Sequence, residues 1–202
     1  MARIIEITGV PAGGKSFYIA KSDFNVFNIC GPYLDSLQRV RIIKILVREF
    51  YVFYVGIKVL SLQDIYFFWK AAMREDVSLL NKLNIFRNIV RKFGVRKLIN
   101  LSRSNDVFYI DEGISHIPFN LLNSKPSIVV DKLKPYLDIT NIIYLEAPSL
   151  KKLAERLKLR GHKRLMRIDL HQFIDDNMEV NTYLLNTYPD LCESFQVVNS
   201  DA

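Results

Sequence analysis

Residues 9–16 read Gly-Val-Pro-Ala-Gly-Gly-Lys-Ser, and their types and spacing fit G-x-x-x-x-G-K-S/T, a pattern built to hold phosphate. Gly9, Gly13 and Gly14 permit a tight turn whose backbone N–H groups point inward at phosphate oxygens. Lys15 has the reach for β- and γ-phosphates, and Ser16 offers a hydroxyl to Mg²⁺. The expected nucleotide-binding set is therefore Gly9, Ala12, Gly13, Gly14, Lys15, Ser16 and Phe17. A glycine-rich turn carrying Lys-Ser by accident is the alternative. The β-branched run before the turn and the helix-forming run after it weigh against accident, because a helix N-terminus adds partial positive charge at the same place.

A second group of residues fits the same chemistry. Val107-Phe108-Tyr109-Ile110-Asp111-Glu112 is an apolar strand ending in acids, as needed to bring a carboxylate beside bound phosphate and metal. Asp111 is the expected metal ligand together with Ser16, and Glu112 is the candidate for polarising a nucleophile. An acidic turn with no catalytic part is the plain alternative. Downstream, Lys151, Lys152, Arg156, Lys158, Arg160, Lys163, Arg164 and Arg167 make a cationic stretch around Gly161-His162. Guanidinium groups pair bidentately with phosphoryl oxygens, so Arg156, Arg160, Arg164 and Arg167 are candidates for a lid that closes over a nucleotide. A solvated basic face is the commoner meaning of such a run.

His116 follows Asp111 closely and is weighed as a general base against a hydrogen-bonded loop histidine, the latter preferred. His162 and His171 read as solvated. Trp69 with Tyr51, Phe53, Tyr54, Tyr66, Phe67 and Phe68 suits base stacking, yet helical spacing makes core packing the preferred reading.

These residues need a scaffold. Arg3–Thr8 and Asn25–Cys30 read as strands, the latter ending at Gly31-Pro32. From about 36 to 101 the pattern is helical, with helices following Ser61 and Ser78 and a break expected at Gly94. Val107–Ile110 and Asn141–Leu145 read as strands covered on both faces. Ser149 caps a helix to about Leu159, another helix starts at Ile168 or Asp169, and Phe195–Val198 closes the sheet. Alternating strands and helices imply an α/β fold with a mainly parallel sheet, the site lying at the strands' carboxyl ends.

Composition bounds the rest. The chain has 202 residues, half of them hydrophobic, and a formal charge of +7. It reads as a single domain with anionic partners favoured. Cys30 and Cys192 form no ligand cluster, which suits a reducing, cytoplasmic setting, and no signal peptide is expected. Residues 42–69 are strongly apolar but broken by charges, so a buried helix pair is preferred over a membrane-surface segment.

In motif order the chain resembles the P-loop kinases of the nucleoside and nucleoside-monophosphate kinase type. The resemblance implies a three-layer P-loop NTPase fold over residues 1–202. About 36–101 would form a helical acceptor- or partner-binding insertion, and about 150–167 an arginine-rich lid. It implies Mg²⁺–ATP as donor and a small metabolite or nucleotide as acceptor, with Lys15, Asp111, Glu112, Arg160 and Arg164 catalytic. Members of that group often carry an acid near the second strand, where Asp35 is the nearest here. Asp-Glu at 111–112 is more typical of ATP-hydrolysing machines, in which the Glu orients water. An ATPase or nucleotide-dependent switch is therefore the second expectation, and nucleic-acid binding the third.

Overall fold

The apolar run at the start of the chain forms β1 (Arg3–Gly9), the strand about which the sheet is arranged. The computed structural model describes residues 3–22, 41–102, 106–160, 165 and 168–199. Within them β1 pairs in parallel with β2 (Val107–Asp111) on one side and β3 (Asn141–Leu145) on the other, and β4 (Ser194–Val198) adds beyond β3. The order β2-β1-β3-β4 is wholly parallel, as α/β architecture requires when each return passes through helix. The expected strand at Asn25–Cys30 lies outside the described residues, as do Gly31-Pro32 and Asp35.

Eight α-helices are seen among the described residues: α1 (Lys15–Lys21), α2 (Arg41–Val59), α3 (Leu62–Arg74), α4 (Leu79–Leu101), α5 (Ile117–Asn120), α6 (Pro126–Leu137), α7 (Leu150–Arg160) and α8 (Leu170–Thr187). Polar caps set several starts. The Ser61 hydroxyl accepts the Asp64 N–H at 3.1 Å, and the Asp169 carboxylate accepts the N–H groups of His171 and Gln172. Each cap satisfies donors that a helix start leaves unpaired.

Alternation along β1 divides the core. Ile5 and Ile7 pack with Ile143, Leu145 and the α1 side chains Tyr18 and Ile19. On the opposite face Ile4 meets Val52, Val95 and Ile99 of α2 and α4. The largest cluster joins Ile142 and Tyr144 to α6, α7 and α8 through Val129, Leu133, Leu157, Phe173 and Leu184. The arrangement is compatible with a three-layer α/β fold.

Three expectations fail, each for a physical reason. Gly94 does not break its helix: α4 runs through it from Leu79 to Leu101. A Cβ at Gly94 would lie 2.0 Å from the Val52 carbonyl oxygen, and one at Gly56 would lie 2.1 Å from that of Val90. These two glycines let α2 and α4 touch backbone to backbone. Second, β3 is buried throughout but β2 is not: its middle is half-buried and both ends are exposed, since β2 ends the described sheet. Third, the aromatic group is only partly core. Phe68 is buried against Phe93 and Phe53 meets Phe86, while Tyr51, Tyr54, Tyr66 and Trp69 are exposed. Among the described residues no single helix is long and apolar enough to cross a membrane, and the α2–α3 pair is bent by 119°.

Candidate functional site

The turn after β1 takes the shape its glycines foretell. Gly9 has φ +144°, Ala12 +61° and Gly14 +104°, left-handed values that L side chains adopt at a cost. At Gly9 space is also short, since a Cβ would sit 2.6 Å from the Leu145 carbonyl oxygen. Gly14 precedes α1, and no side chain caps that helix.

Lys15 is almost fully buried. Its ammonium donates to the carbonyls of Gly9 and Val10, each at 3.1 Å, and lies 3.3 Å from Glu112 Oε1. A cleft of about 320 Å³ opens here, lined by Ala12, Gly13, Gly14, Lys15, Ser16 and Phe17 together with Asp111, Glu112 and Arg156. Three stretches far apart in sequence thus meet around one cavity. Pairing of β1 with β2 sets Asp111 opposite Ile7, and α7 delivers Arg156. The side chain of Arg160 and the whole of His162, Arg164 and Arg167 lie outside the described residues.

Glu112 is conformationally unusual. With φ +55° it occupies a region that costs a non-glycine residue roughly 1 kcal/mol or more, and its N–H donates to the Ile7 carbonyl at 3.1 Å. Its carboxylate reaches Lys15 and, at 3.5 Å, His116 Nε2. His116 foremost, then Lys15 and Lys92, hold the Glu112 carboxyl down at about 2 against the burial that opposes them. His116 is buried on the 3-10 turn Ile114–His116, and its Nδ1 lies 3.2 Å from the Thr8 hydroxyl. It is hydrogen-bonded as expected and links β1 to Glu112.

Other residues that support the site went unremarked in the sequence. Lys92 of α4 donates to the Glu112 and Gly113 carbonyls, and burial brings its ammonium down to about 8. Glu6, fully buried on β1, accepts from Arg96 at 3.3 Å and from the Ser115 N–H at 2.7 Å. Arg96 also donates to the Thr140 hydroxyl. Gly113 has to lack a side chain, because a Cβ would lie 2.2 Å from the Glu6 carboxyl carbon. A buried charge is tolerated only when paired, and here the pairing fixes the turn that aims Glu112 and His116. A charged residue inside an apolar strand was the one signal available, at Glu6.

Ser16 and Asp111 both line the cleft. A hydroxyl and a carboxylate are hard oxygen donors, and Mg²⁺ takes one or two such ligands plus phosphate and water. The donor set therefore fits the expected metal. Among the described residues no group of three or more His, Cys, Asp or Glu side chains is placed to hold a metal ion without such help. Compared with known proteins, the chain matches no family model, no curated protein and no solved structure.

Proposed function

We propose that this cleft binds the triphosphate of a nucleotide with Mg²⁺ and catalyses cleavage of its terminal phosphoanhydride by water. The observation that carries the reading is the Glu112 carboxylate, held between Lys15 and His116 at the rim of a glycine-rich loop. In this reading the loop N–H groups from Gly13 to Ser16 receive the β-phosphate. Lys15 leaves the Gly9 and Val10 carbonyls and Glu112 to take the β- and γ-oxygens. Ser16 and Asp111 would hold Mg²⁺, which would neutralise charge on those oxygens.

Glu112, released by Lys15 but still beside His116, accepts a hydrogen bond from the attacking water and orients it in line. Its contribution is positioning, with the proton passing to the departing phosphate oxygens. Arg156 adds a cation opposite the loop as charge develops.

Replacing Glu112 by Gln should lower ATP hydrolysis about 100-fold, the lower range for loss of a positioned acid–base group, while ATP remains bound. An unchanged rate would sink this role. Lys15→Ala should abolish nucleotide binding itself.

Transfer to a small metabolite or nucleotide is the second reading, favoured by Arg156 on α7, where an arginine lid would begin. Among the described residues, none from 41–101 lines the cleft. Turnover that rises severalfold with one compound from a panel of nucleosides, nucleotides and sugars would reverse the order of the two readings.

A further inference from the structure

A second cavity, also of about 320 Å³, lies between the C-terminal half of α3 and the start of α6. It shares no lining residue with the nucleotide cleft. Lys70 and Arg74 face it from α3, and Lys125 from the residue that precedes α6. No acidic residue lines it, and among the described residues none of these three cations makes an ion pair. Lys70 has an aromatic neighbour instead, its ammonium 5.9 Å over the Tyr66 ring.

The neighbouring acids are spent on the loop. Asn123 donates its backbone N–H to Glu75 Oε1 at 3.0 Å and its amide to Asp76 Oδ2 at 2.7 Å. The same amide reaches the Arg74 carbonyl at 3.0 Å, so loop and helix are tied across the cavity mouth.

The charges here oppose ordinary helix electrostatics. The N-terminus of α6 carries partial positive charge, which acids favour and cations oppose. Yet α6 has no acid in its first turn, no side-chain cap and a lysine at the capping position. Three exposed cations without an ion-pair partner among the described residues thus stand around a positive helix end, an arrangement that favours a dianion seated among them. Below the cations Phe67, Ala71 and Ile128 provide an apolar floor that inorganic phosphate would leave unfilled. The volume lies at the small end of ligand sites, about 300 Å³ and upward.

We infer that this cavity binds a small phosphate monoester, its phosphoryl group held by Lys70, Arg74 and Lys125 and its ring or alkyl group resting on Phe67, Ala71 and Ile128. The inference is independent of the function proposed for the nucleotide cleft.

The test is calorimetric titration of the full chain with phenyl phosphate at low salt, beside inorganic phosphate and phenol. Phenyl phosphate should bind more tightly than either fragment and should raise the unfolding temperature. The double variant Lys70→Glu/Lys125→Glu should weaken it at least 10-fold, whereas Lys15→Ala should leave it unchanged. Lys125→Glu alone, by removing a charge conflict at α6, should raise the unfolding temperature, which separates loss of the site from loss of the fold. Undiminished binding in the double variant would overturn the assignment. So would loss of binding in Lys15→Ala, or a single-stranded oligonucleotide binding 10-fold tighter than phenyl phosphate.

Discussion

Lys15 has two sets of partners to choose between, and Glu112 belongs to the set it must leave. With a side chain about 44% exposed, Glu112 offers Lys15 a pair of modest strength, of the kind worth about 0.2–1 kcal/mol. Removing its charge with Glu112→Gln should therefore tighten ATP binding about 1.4- to fivefold even as hydrolysis falls, a split that equilibrium binding and turnover read separately. The same carboxyl sets an acid dependence. Its value falls from 4.5 to about 2 on folding, so its share of stability is complete above 4.5 and lost as pH drops from there through 2. Urea midpoints should decline more steeply over that interval for the native chain than for Glu112→Gln; parallel curves would contradict the ion pairing. That the loop residues and Asp111 would meet at one cleft was readable because a glycine-rich turn after one strand and an acid at the end of another are local patterns. Lys92, Thr8 and Arg96 were not, because a single Lys, Thr or Arg in an apolar run looks the same whether it faces solvent or a buried carbonyl.

At the scale of elements, the α2–α4 contact is held by what is missing. Gly56 and Gly94 each sit against a carbonyl of the other helix, and α4 also carries Lys92 and Arg96, which brace the turn at Gly113–Ser115. Gly94→Leu should force the helices apart and cost about 3 kcal/mol, the upper range for overpacking, with ATP turnover falling as Lys92 shifts. A loss below about 0.5 kcal/mol in denaturant unfolding would show that the helices are free to separate. The sequence marked Gly94 correctly as special and mistook the reason: a helix tolerates glycine when a neighbour needs the space. The caps at Ser61, Ser78, Ser149 and Asp169 were legible because each satisfies a local need. α6 escaped notice for the opposite reason, since it opens at Pro126 without a polar cap and contains Pro135.

For the whole molecule, the α/β class followed from alternating patterns, whereas strand order is a long-range property that local pattern does not encode. Among the described residues β1 pairs with strands that begin at 107 and 141, so the glycine-rich turn that follows it rests on chain made much later. Gly9 even derives its shape from Leu145. During synthesis at about 5–20 residues per second, β1 waits on the order of ten seconds before both neighbours emerge from the ribosome. Through that interval an apolar strand stands with at least one edge bare, a state open to wrong pairing. A chain ending at residue 137 should accordingly fail to bind ATP and should be captured by a holdase chaperone, while one ending at 199 escapes capture. ATP retention by the shorter chain would show that the loop assembles without β3. Failure of the shorter chain to bind would instead date nucleotide competence from the birth of β3, a matter of timing as much as of shape.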